Sequence, residues 1–193
     1  MNRRWLIPVA ILVALVQIAF LSWTILGRAQ ILREGREIVL SVEPVDPRDL
    51  LRGDYVILSY NISRVPVSLF ANTPALPEND SVERTVFIRL KEGEGGIWQP
   101  VAASVDAPAA AALSDAEVDI RGTAYFARWE KSDAVRVTYG IERFYVPEGE
   151  GRQIERDLRT SSFRMKVAIS SNGTAQIKSL HDGETMLYEE PVY

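Results

Sequence analysis

Two hydrophobic periodicities divide the chain. From Trp5 to Leu26, "WLIPVAILVALVQIAFLSWTIL" contains no charged side chain. As a helix rising about 1.5 Å per residue it reaches roughly 33 Å, enough to cross a hydrocarbon core of about 30 Å. Pro8 falls in the first turn, where a missing N–H costs little. Gln17 is the one strongly polar side chain inside the span, and Trp5 and Trp23 stand near its ends, as interface aromatics do.

Past Arg36 the period changes to two. Ile38, Leu40 and Val42 alternate with Val39 and Ser41 and predict a first strand, ended by Pro44 and Pro47. "DPRDLL" suits one helical turn with Asp46 as N-cap. "RVPVSLFANTPALPEND" predicts a loop or edge excursion, and "RTVFIRL" and "IWQPVAAS" predict a hairpin around "KEGEGG". The alanine-rich stretch Ala107 to Glu117 predicts a brief helix. "VDIRGTAYFARW" and "AVRVTYGIERFYV" form the clearest strand pair, with Val135, Val137, Tyr139 and Ile141 on one parity. Ile154 and Leu158, four apart among charges, predict a second short helix. "FRMKVAIS" and "AQIKSL" close as a hairpin around Asn-Gly, followed by "HDGETMLYEE".

The expected fold is mainly β (α+β). An N-terminal transmembrane helix precedes one antiparallel β-barrel or sandwich-like domain of eight or nine strands, with one or two short helices. The boundaries that follow are a tail at 1–4, the span at 5–26, a juxtamembrane linker at 27–36 and the β-rich domain at 37–193.

Composition narrows the function. With 47% hydrophobic and 25% charged residues and a formal net charge of -4, the chain is neither disordered nor basic, so no nucleic-acid partner is expected. Without the two tail arginines the remainder carries 20 basic and 26 acidic side chains, a formal -6, which disfavours an anionic leaflet. No cysteine excludes disulfides and thiol chemistry, and the single His181 excludes a two-histidine metal site within one chain. Arg3 and Arg4 before the span, against Arg28, Arg33 and Arg36 mixed with acids after it, favour a cytoplasmic N-terminus. Gly27-Arg28-Ala29 offers a signal-peptidase-like site, but the apolar run is longer than a signal h-region, so an uncleaved anchor is preferred.

The candidate chemistry centres on "GDYVILSY". Gly53 and Asp54 make a turn and a cap, and alternation puts Asp54, Val56, Leu58 and Tyr60 on one face and Tyr55, Ile57 and Ser59 on the other. Large apolar groups on both faces predict an interior strand. Gly53, Asp54, Tyr55, Leu58 and Tyr60 match every fixed position of the motif that names the bacterial GDYXXLXY family, and "YGIERFYVPEGEGR" resembles that family's second typical segment. The resemblance implies a membrane-anchored protein without an assigned activity. It also implies the lipid bilayer as one partner, through 5–26, and a multi-spanning membrane protein as another.

Each sharper reading has a plainer rival. Asp54 is first a turn cap and only second a cation or ligand carboxylate. Glu43, Asp46, Asp49 and Asp54 lack the calcium-loop pattern. "VPEGEGRQIE" lacks the Gly-Lys-Ser/Thr of a phosphate loop, so Glu148 and Arg152 are better partners for each other. The turn resembles the "GD-V" of signal peptidases, but no Ser-Met-x-Pro follows the anchor, so the nucleophile of that chemistry is missing. His181, beside Asp182-Gly183, is expected in a surface turn. No catalytic residue, metal or cofactor is therefore expected. The expected function is a non-enzymatic bacterial inner (cytoplasmic) membrane protein, single-pass, whose periplasmic or otherwise extracytoplasmic β-domain binds or stabilises a membrane-protein partner. The alternative is a small-molecule or cation binder, or a weak hydrolase, using Asp54 with Tyr55, Tyr60, Glu148 and Arg152; with Gly53 and Leu58 of the motif these are the candidate binding residues.

Overall fold

The computed structural model describes residues 6–43, 55–72, 81–127, 132–145 and 163–190. One helix, α1 (Leu6–Glu34), leads into twelve strands among the described residues, more than the eight or nine expected. The strands are β1 (Arg36–Glu43), β2 (Tyr55–Ile57), β3 (Ser59–Tyr60), β4 (Arg64–Pro66), β5 (Ser81–Glu92) and β6 (Trp98–Val105). After these come β7 (Glu117–Ala127), β8 (Ala134–Thr138), β9 (Arg143–Tyr145), β10 (Phe163–Ile169), β11 (Ala175–Asp182) and β12 (Thr185–Glu189). The extra strands arise mainly because long apolar runs are divided between two sheets.

The large hydrophobic side chains of α1 from Ile7 to Leu26 are 50–81% exposed, so the protein itself covers almost none of this surface. The helix is long and apolar enough to cross a membrane. It does not end at Leu26: the juxtamembrane stretch is helical as far as Glu34, and Ala29 and Leu32, three apart on one face, are buried where the last turns meet β10 and β11. Arg28 extends this join with a 3.0 Å ion pair to Glu190. The chain passes from helix to β1 through Gly35 alone. Its N–H donates to the Ile31 carbonyl at 2.9 Å, and a Cβ there would lie 2.4 Å from that oxygen and 3.2 Å from Ala168 Cβ.

The first sheet has the order β12-β11-β10-β1-β3, antiparallel throughout, with Ile38 opposite Val167 and Leu40 opposite Met165. The second has the order β4-β8-β7-β5-β6. This sheet curls until its edges nearly meet. The chain leaving β4 makes one 3-10 turn (Val67–Leu69), and Phe70 then bridges to Ala103 of β6. The Ala71 N–H donates to the Ala103 carbonyl at 3.0 Å, and the Asn72 carboxamide both accepts from the Val105 N–H and donates to the Val105 carbonyl. Phe70 meets Phe126 edge to face, with centroids 5.7 Å apart, inside the curl. Edge groups that would be left unpaired are thus satisfied from the same chain. β7 shows the alternation behind the curl, with Val118, Ile120, Ala124 and Phe126 buried. The inner faces of both sheets share one core, in which Ile38, Leu40 and Met165 join Ile88, Leu90 and Ile120.

Two expectations change. "GDYVILSY" is not one interior strand: ladder pairing stops at Leu58, β2 pairs with β9, and β3 is the edge of the first sheet, with Ile57 and Ser59 half-exposed. Ala107 to Glu117 forms no helix. Side chains hold the stretch in another path: the Ala107 carbonyl accepts from the Ser104 hydroxyl and that of Ala109 from Arg89, while Arg36 donates to the Asp115 and Glu117 carbonyls at its end. Arg89 in turn makes a two-pronged ion pair with Asp119, at 2.9 and 3.0 Å, under this loop. The helix expected around Ile154 and the turn at 46–51 lie outside the described residues.

Gly35→Val should strain the helix–sheet junction and lower stability by about 1–3 kcal/mol, the usual cost of overpacking. Urea unfolding of the full chain in detergent checks this, and an unchanged midpoint would show that the junction is loose.

Candidate functional site

The two segments that carry the resemblance meet in one seam. β2 pairs antiparallel with β9, Tyr55 opposite Tyr145 and Val56 opposite Phe144. Where the ladder breaks, the Leu58 N–H donates to the Glu142 carbonyl at 2.8 Å. Tyr60, fully buried, donates its hydroxyl to the Ile141 carbonyl at 2.6 Å, and Tyr139 returns the arrangement by donating to the Ile62 carbonyl at 2.7 Å. The Ser63 hydroxyl accepts from the Tyr60 N–H at 3.0 Å. Each tyrosine thus reaches a backbone carbonyl in the other's segment. Burial, with the Glu142 charge as a lesser cause, pushes both phenols far above the usual range, so neither is available as a base.

Asn61 fastens the next corner. Its carboxamide accepts from the Ser41 N–H of β1 at 3.1 Å and donates to the Trp98 carbonyl of β6 at 2.7 Å, tying the two sheets together. Arg36 stacks over the Trp98 ring, 5.2 Å from its centroid. Glu142 closes the turn before β9, its carboxylate accepting from the Tyr139 and Gly140 N–H groups, the latter at 2.9 Å.

Of the sequence candidates, Leu58 and Tyr60 are buried structural groups, and the Tyr55 backbone belongs to β2. Gly53, Asp54, Glu148 and Arg152 lie outside the described residues, as do Asp46 and Asp49. No group of three or more metal-ligating side chains occurs among the described residues. His181 is in strand β11 rather than in a turn, its Nε2 2.7 Å from the Ser179 hydroxyl. Ser179 is buried, and the pair is a contact along β11.

An open groove of about 770 Å³ lies beside the seam, lined by Arg121, Gly122 and Thr123 of β7, by Thr138, Tyr139, Gly140, Glu142 and Arg143, and by Thr85 and Thr174. Gly122 permits the close approach of its wall: a Cβ there would lie 2.6 Å from Val137 Cγ1 and 2.9 Å from the Tyr139 ring. None of these lining residues was a candidate from sequence. They come from several strands, and the only local signal was Gly-Ile-Glu within the second segment.

The fold and seam define a class: an antiparallel β-domain curled on itself, continuous with an N-terminal helix able to cross a membrane. The profile of the GDYXXLXY protein family matches residues 17–180, and the chain belongs to that family. No curated protein and no solved structure matches it.

Tyr60→Phe and Tyr139→Phe should each cost about 1–3 kcal/mol, because each leaves a buried carbonyl without its donor. Denaturant unfolding checks this, and a loss below about 0.5 kcal/mol, the range of ordinary surface changes, would remove the seam's importance.

A pH dependence follows from His181. Burial, then Lys166, depresses its pKa below the usual 6.5 despite Glu189. The folded state therefore binds its proton less readily than the unfolded chain, so this stability is present above pH 6.5 and is lost as pH falls through the depressed value. Glu37, bonded to Lys178, adds a similar loss below its usual 4.5. Melting curves should show a smaller loss for His181→Gln than for the parent between neutral pH and pH 5, and identical slopes would exclude this origin.

Proposed function

We propose that the protein is a single-pass protein of the bacterial inner membrane whose extracytoplasmic β-domain binds or stabilises a membrane-protein partner. The observation that carries the reading is Gln17. It lies midway along the exposed apolar part of α1, and its carboxamide has no hydrogen-bond partner among the described residues. A carboxamide at the centre of a bilayer seeks a donor and an acceptor, and another helix supplies them. Ala10, Ala14 and Thr24 recur at helical spacing with Gln17, which gives that face the small-residue surface on which helices approach closely.

The join between α1 and the sheet supports the same reading. Without a loose tether, a partner gripping the helix also meets the domain in a fixed orientation. Ala29 is buried and helical, which argues against cleavage at Gly27–Ala29 and for a retained anchor. The arginine asymmetry favours the domain outside the cytoplasm.

A photo-crosslinking residue at Ala14 should yield a discrete adduct with another membrane protein in intact cells, and Gln17→Leu should abolish it while leaving the domain's melting temperature unchanged. A C-terminal alkaline phosphatase fusion should be active. Adducts to lipid alone, or only to a second copy of this chain, would overturn the partner reading.

A further inference from the structure

We propose that β12 lies on the bilayer surface, so that Met186 and Leu187 dip into the headgroup layer of the membrane that α1 crosses. The proposal rests on the reading of α1 as a membrane span and adds a second contact with lipid, made by the β-domain itself.

The path of α1 across the first sheet fixes which edge is nearest the membrane. Arg28 pairs with Glu190, whose N–H prolongs β12 by donating to the Lys178 carbonyl of β11 at 2.8 Å. Ala29 and Leu32 are buried where the helix meets β11 and β10, and Gly35 sits against Ala168 and Ile169 of β10 before the chain enters β1. The helix thus runs across the strands, from the β12 edge towards β1. Its advance from Arg28 to Gly35 is about 10 Å, close to two strand spacings of about 4.8 Å, and the Arg28 side chain spans the remaining strand. The part of α1 before Arg28 therefore projects beyond β12, which is the strand of the first sheet nearest to the apolar run.

The distance is short. Leu26, the last residue of the apolar run, precedes Arg28 by about 3 Å of helix, whereas the headgroup layer on each side of the hydrocarbon is roughly 5–7 Å deep. Arg28, and Glu190 bonded to it, stand within that layer. The sequence of β12 suits such a place. It is the outer strand of its sheet, and its register with β11 steps between Leu180 and His181: Met186 faces His181, Tyr188 faces Leu180, and Leu187 is the extra residue. Met186 and Leu187 are 53% and 47% exposed, neighbouring apolar side chains that the sheet shields on neither face. Among the described residues no strand covers this edge, and hydrated headgroups offer its outward N–H and C=O groups partners that hydrocarbon would not. Exposed Glu184 and Glu189 bracket the apolar pair, which favours a zwitterionic lipid surface over an anionic one.

The chain has no cysteine, so single nitroxide labels can be placed in the full chain through Met186→Cys, Leu187→Cys, Val16→Cys and Leu113→Cys. Leu113 is an exposed apolar residue of the loop held by Arg36 at the start of β1, which two strands separate from β12. In phosphatidylcholine vesicles, power-saturation electron paramagnetic resonance compares access of oxygen, which concentrates in lipid, with access of a water-soluble nickel chelate. The two β12 labels should show several-fold less nickel access than the Leu113 label, at a depth between it and the Val16 label. Nickel access of the β12 labels equal to that of the Leu113 label, with the Val16 label deep, would overturn the proposal and leave the span standing. Loss of access to both reagents would overturn it too, because protein rather than lipid would cover the strand. Nickel access at the Val16 label would overturn the span and this contact with it. Adding anionic phosphatidylglycerol should lift both β12 labels outward, and an equal depth would overturn the part played by Glu184 and Glu189.

Discussion

The fold depends on satisfying backbone groups where the chain leaves one sheet for another. At Leu58 the ladder of β2 with β9 ends before that of β3 with β1 begins, and the turn at 61–63 then carries the chain into the second sheet. Buried carbonyls at such a crossing have no strand to answer them, and each one left alone costs about as much as a lost hydrogen bond. Tyr60 and Tyr139 supply the missing donors reciprocally, and Asn61 serves both sheets at once. Apolar contact alone is non-directional and would not fix how the chain crosses between the sheets here. This part of the motif is therefore a device for crossing between sheets, and Tyr60 is structural because its hydroxyl is already spent.

This explains which parts of the architecture were legible in the sequence. Strands with clean alternation, such as Ile38-Leu40-Val42 and Val118 to Phe126, announce themselves because one buried face imposes a period of two. The long apolar helix does so through length alone. The change of partner at Leu58 could not be read locally, because the residues before it pair with β9, more than eighty residues away, and those after it pair with β1. The alanine-rich segment misleads for the same kind of reason. Its helix propensity is worth tenths of a kcal/mol per residue. Arg36 and Arg89, both distant in sequence, hold its carbonyls in a non-helical path.

The candidate site was legible only in part. The motif suggested a packing task for Tyr60, and Leu58 and Tyr60 are both buried. The groove beside it was invisible, since Arg121, Thr138 and Thr174 belong to three separate stretches and no spacing rule links them. Such a groove exists only after the curl of the second sheet has brought β7 beside the turn at 139–142. A sequence pattern reports local necessity, whereas a groove on a curled sheet is a product of closure.

The helix and the domain are mechanically one object, and that limits how function can be arranged. A flexible linker would let the domain sample many orientations above a membrane, which suits capture of distant partners but weakens any single contact through ordering entropy. Here Gly35 is the only residue between the last helical turn and β1, and Leu32, Ala29 and Arg28 fasten that turn to the first sheet. A rotation of α1 about its axis must therefore rotate the sheet packed against it. Any contact made by the exposed face of α1 and any made by the domain would then not be independent: occupancy of one would fix the presentation of the other at little further entropic cost. A domain built this way is better suited to standing beside one neighbour in a set geometry than to searching for many.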